Sequence, residues 1–120
     1  MQDYSDKQRI IQELVPGKQI TLAHIIASPD EILYKKLGLD PTVEYSRSAI
    51  GILTLSPAET AIIAGDISIK ASGAQLGFVD RFSGTVILTG TYSEVEASLV
   101  AVLRFAEETL GFTVCKITKT

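Results

Sequence analysis

The 120-residue chain is long enough for one hydrophobic core and too short for two. Its 46% hydrophobic residues, counted without the nine glycines, are many for a soluble domain and its 21% charged residues are few, a balance that suggests surface hidden against further copies. A net charge of −3, with basic residues scattered among acids, argues against a nucleic-acid binder; no apolar run reaches the ~18 residues of a membrane span, and one cysteine excludes an internal disulfide and suits a reducing cytoplasm.

In chain order, the opening MQDYSDKQR lacks the basic and apolar regions of a secretory signal. The run RIIQELV, residues 9–15, alternates Ile11, Glu13 and Val15 on one side with Ile10, Gln12 and Leu14 on the other, as a strand would. Pro16-Gly17 follows as a hinge, so this strand stands apart from the main sheet. β-rich composition predicts strands over 19–27, 49–55, 74–79, 85–89 and 112–118. Three Ser-x-x-Glu patterns, Ser28 to Glu31, Ser56 to Glu59 and Ser93 to Glu96, predict helix starts, and Gly38, Gly73 and Gly111 predict helix ends. The third helix, 94–110, carries Val95, Leu99, Val102 and Ala106 on one stripe with Leu103 and Leu110, and the second presents Ile62, Ile63 and Ile67 among small residues. GLDPTVEYSR, residues 38–47, is a loop by its Gly, Pro and polar content. The alternation from Ser48 onward implies an α+β sheet with helices on one face.

Reactive groups are few. His24 lies mid-strand and reads as a structural imidazole, and Cys115, without a second thiol, reads as a small buried hydrophobe. The Gly17-Lys18 pair lacks the upstream glycine and the following Ser or Thr of a phosphate loop. Glu13, Asp30, Glu31, Asp66 and Asp80 fall on separate elements. No catalytic, cofactor or metal site is expected. What stands out is GFVDRFSGTVILTG, residues 77–90, two short strands joined by a loop that displays Phe82 between Arg81 and Ser83.

The stretches VPGKQ, TLAHIIA, DRFSG and the terminal KITKT, with the intervening sequence, resemble the circularly permuted single-domain shell proteins of bacterial microcompartments, among them those of ethanolamine-, propanediol- and choline-utilisation compartments. The resemblance implies a ferredoxin-like α+β shell fold, an antiparallel sheet with helices on one face, in which the strand TLAHIIA and the helix PDEILYKKL, last in the ordinary order, come first. It implies an N-terminal extension over residues 1–17, whose strand of Ile10, Ile11, Gln12, Glu13, Leu14 and Val15 joins five others in a β-barrel, and a permuted shell domain over 18–120. It also implies a hexamer whose central pore is lined by Asp80, Arg81, Phe82, Ser83 and Gly84, with Phe82 where many relatives have a small residue, so that the pore is occluded. Lys70 matches the lysine of the hexamer edge, and Ser28 stands where relatives carry an arginine. The partners implied are the homo-hexamer, other shell proteins and encapsulated enzymes, with no cofactor, no nucleic acid and no membrane; the location implied is a microcompartment in the cytoplasm. Two other readings of the residues are an oligomeric small-molecule-binding regulatory domain and an enzyme using Asp80 and Arg81 at a subunit interface.

Overall fold

The computed structural model describes residues 17–120, so the strand expected at 9–15, and with it the barrel, lies outside the described residues. The elements are β1 (Gln19–Ile26), α1 (Ile32–Lys36), β2 (Ala49–Ser56), α2 (Thr60–Ala71), β3 (Gln75–Asp80), β4 (Thr85–Gly90), α3 (Tyr92–Glu108) and β5 (Thr118–Lys119). They build a five-stranded sheet in the order β3-β4-β2-β1-β5. The first four strands pair antiparallel, as expected, and β5 runs parallel to β1, so the sheet is mixed. The parallel pair follows from topology, because α3 carries the chain back across the sheet and β5 re-enters in the direction of β4 and β1.

The predicted strand over 112–118 shrinks to two residues. The chain hydrogen-bonds to β1 near both ends, through Ile20 N to Thr113 O at 2.9 Å and Thr120 N to Ile25 O at 3.0 Å. Between those points Val114, Cys115 and Ile117 turn toward the core instead of continuing the ladder. Cys115 is therefore half-buried, packed against the core rather than sealed within it. His24 is held as expected of a structural imidazole, with Nδ1 2.6 Å from Thr118 Oγ1 and Nε2 3.0 Å from Thr120 Oγ1.

α2 and α3 cover one sheet face. Val95, Leu99, Val102 and Ala106 of α3 are buried against Ala23, Ile25, Leu53, Val86 and Leu88, as the helical stripe predicts. The approach is close enough that a Cβ on Gly51 would come within 2.6 Å of Val95 Cγ1. α2 packs closely through its small residues, and Ile67 packs against the core. Its buried face is Ala61, Ala64, Gly65 and Ser68, while Ile62 and Ile63 are exposed, because only small side chains fit between α2, α3 and β3. Ser98 Oγ donates to Ser68 O at 2.6 Å across this contact. The short α1 and its following loop cover part of the opposite face, where Tyr34 and Leu39 bury against Ile50 and Ile87. Tyr34 and Tyr45 stack there with centroids 4.3 Å apart.

The helix starts differ from the Ser-x-x-Glu reading in each case. Asp30 rather than Ser28 serves α1, accepting from Ile32 N at 3.0 Å. Ser56 is still in the β ladder opposite Gln19, so α2 begins only at Thr60. α3 starts two residues early, on a capping box in which Thr91 Oγ1 accepts from Glu94 N and Glu94 Oε1 accepts from Thr91 N. Gly38 and Gly111 end helices with positive φ, whereas α2 ends at Ser72 in extended backbone and Gly73 has no such role.

Candidate functional site

The β3–β4 hairpin holds its tip by itself. Asp80 Oδ1 accepts from Phe82 N at 2.9 Å and Asp80 Oδ2 accepts from Ser83 Oγ at 2.8 Å, so one carboxylate organises the whole turn. The Phe82 N–H first, and then the Ser83 hydroxyl, hold the Asp80 carboxyl below the usual carboxylate range. Gly84 N donates to Asp80 O at 2.9 Å and Leu55 N donates to Gly84 O at 2.8 Å, which ties the tip to the central strand β2. Gly84 has φ +76°, and a Cβ there would run into Leu55 O.

This frame leaves two side chains outside it. Phe82 is 80% exposed, the most exposed large hydrophobic residue among those described. The Arg81 guanidinium lies 4.9 Å from the Phe82 ring centroid, and among the described residues Arg81 forms no ion pair. Together with Ile62 of α2 and Val79 of β3, the tip borders an open concavity of about 340 Å³. The structure thus brings Asp80, Arg81, Phe82, Ser83 and Gly84 together in one loop.

The two residues expected at the hexamer edge fall on different elements. Lys70 is exposed in the last turn of α2 and ion-paired to Asp66 at 2.8 Å, and Ser28 is exposed in the bend after β1. Sequence reasoning missed the Asp80 cradle, although Asp followed by Ser three residues on and Gly four on is its signal. It also missed the anchoring of the 38–47 loop, in which Tyr45 Oη donates to Asp40 O and Thr42 N donates to Asp40 Oδ1.

Among the described residues no His, Cys, Asp and Glu side chains gather into a metal-binding cluster, and no helix is long and apolar enough to cross a membrane. What the site offers is a turn held by its own hydrogen bonds that displays an aromatic ring on a small α+β domain. The BMC domain matches residues 49–118. The chain is 54% identical over 112 residues, 93% of each chain, to the bacterial microcompartment shell protein PduU of Salmonella typhimurium. It is 50% identical over 114 residues to the shell protein EutS of the same organism, covering 95% of this chain and 98% of EutS. Among solved structures, the CutR flat hexamer superposes with a TM-score of 0.80 at 47% identity, over 88% of this chain and 94% of that one. The chain belongs to the BMC domain family of bacterial microcompartment shell proteins, as the sequence resemblance implied, and its role is that of a structural shell component.

Proposed function

We propose that the protein is a non-enzymatic hexameric facet unit of a microcompartment in the cytoplasm, with the loop from Asp80 to Gly84 gathered at the six-fold axis so that Phe82 occludes the pore. The observation that carries this reading is the display of Phe82 on a turn locked by Asp80, a geometry that costs a monomer apolar exposure and gains it nothing. The hexamer of CutR supports the symmetry. A circular permutation is supported by β1: it lies outside the matched span of the BMC domain, yet it pairs along its whole length with β2 near the middle of the sheet. In this reading residues 1–17 form the extension whose strand, Ile10 to Val15, closes a barrel over the axis. Lys70 and Ser28 lie at the rim, where hexamers meet one another and other shell proteins, and the inner surface faces the encapsulated enzymes. Lys70 would exchange Asp66 for a neighbouring hexamer at little cost, since exposed pairs of this kind contribute less than about 1 kcal/mol.

The test is an electron-microscopy structure of the purified assembly, of Phe82→Gly, of a truncation up to Val15, and of the two combined. The axis is expected to be open only in the combined variant. An axis already open to water in the unmodified protein would refute the occluded pore, and a particle without six-fold symmetry would refute the facet unit.

A further inference from the structure

We infer that Phe82 is an assembly anchor: its ring seats in the concavity bordered by Ile62, Val79 and Arg81 of the next copy in the ring. This rests on the hexameric reading above and adds to it the residue contact that closes the ring.

A cyclic assembly is built from one heterologous contact, so each copy must carry both a projecting feature and a recess that fits it, at different places on its surface. This chain carries both, the recess opening on one side of the projection, with Phe82 itself as one of its walls. The projection is Phe82, held outward by a turn whose backbone is fixed by Asp80. The recess is the concavity of about 340 Å³ between the 54%-exposed Ile62 of α2, Val79 of β3 and the loop. A site of ~150 Å³ already admits a benzene-sized ring, so the recess has room for a phenyl group beside the copy's own Phe82. Two such rings side by side can adopt the offset or edge-to-face arrangement that aromatic pairs prefer.

Chemistry matches shape. The walls supplied by Ile62 and Val79 are apolar, and Arg81, which already lies over its own Phe82, has a second guanidinium face for the incoming ring. The loop carries one acid and one base, so the approach of a second loop need not bring like charges together. A second copy is the occupant that this pairing of knob and recess fits, because both halves are present in every chain.

The experiment is a dilution series of the full-length protein followed by mass photometry, for the unmodified chain, Phe82→Ala, Ile62→Ala, the double variant, and Val100→Ala as an exposed apolar control on α3. Circular dichroism verifies that each variant is folded. Phe82→Ala is expected to raise the concentration at which hexamers dissociate by about tenfold or more, the effect of removing an aromatic anchor. Ile62→Ala should act in the same direction, the double variant should lose less than the sum of the singles, and Val100→Ala should change nothing. Phe82→Leu should restore part of the loss. Dissociation of Phe82→Ala at the unmodified concentration would overturn the anchor while leaving the hexamer standing. Strictly additive losses would overturn the seating of Phe82 against Ile62. An unmodified protein that forms no hexamer at any concentration would instead overturn the reading on which the anchor rests.

Discussion

Substituting alanine for Gly84 tests whether the hairpin tip is clamped to β2 as described. Two terms add. The backbone sits at φ +76°, where an L-residue costs about 1–2 kcal/mol, reduced by about 0.4–1 kcal/mol because alanine also restricts the unfolded chain. The new Cβ would then collide with Leu55 O and stand 3.1 Å from Ala58 Cα, both backbone atoms that cannot swing aside. Relief requires lengthening the Leu55 N to Gly84 O bond, and since Leu55 is buried its amide would be left unpaired, which costs about 1–3 kcal/mol. The sum is roughly 1–5 kcal/mol. Gly38 separates the terms: it has φ +72° and nothing within 4 Å of its would-be Cβ, so Gly38→Ala carries the backbone term alone, about 1 kcal/mol. The assay is urea unfolding by circular dichroism at one fixed protomer concentration, because assembly makes stability depend on concentration. If Gly84→Ala and Gly38→Ala are destabilised within about 0.5 kcal/mol of each other, the clamp contributes nothing and the reasoning fails.

Leu99 is fully buried in the α3 stripe, so Leu99→Ala should cost about 2–5 kcal/mol by the same unfolding assay, and a loss below 1 kcal/mol would contradict its place in the core. The Asp80 carboxyl is held below its ordinary value in the fold, so its contribution to the turn is fully present above the unfolded value near 4 and is lost as pH falls through the folded value. In an NMR titration the Phe82 amide shift should therefore follow Asp80 at a pH below that of an ordinary aspartate, and Asp80→Asn should flatten the curve.

Much of the fold was legible because its signals are local. The stripe of Val95, Leu99, Val102 and Ala106 repeats at helical spacing, and its partners on β2 and β4 alternate at strand spacing, so core and layer order follow from periodicity. The misreadings arise where a longer-range demand wins. Ser56 has the side chain of a helix cap, but pairing with Gln19 keeps its backbone extended. Segment 112–118 has strand composition, yet three of its side chains turn inward to close the core instead of extending the ladder. At the site, sequence pointed to Phe82 because a bare aromatic between charged and small residues is odd in itself. The recess beside it was invisible, since Ile62 and Val79 belong to elements that only the tertiary fold brings together.

The Asp80 cradle also bears on how quickly a ring can grow. Both oxygens of the carboxylate are engaged within the loop, and the Gly84 carbonyl is engaged by β2, so in the proposed ring the loop backbone would be in its final shape before any neighbour arrives. At this loop, docking would then have to order only the Arg81 and Phe82 side chains, a cost of about 0.5–1.5 kcal/mol for each rotamer-rich side chain that is immobilised. This loop would then add no slow conformational step of its own to the proposed association, whose ordinary rate is about 10⁵–10⁷ M⁻¹s⁻¹. In that reading the tip is a template cast in advance, and the lifetime of the ring depends on how slowly its contacts let go.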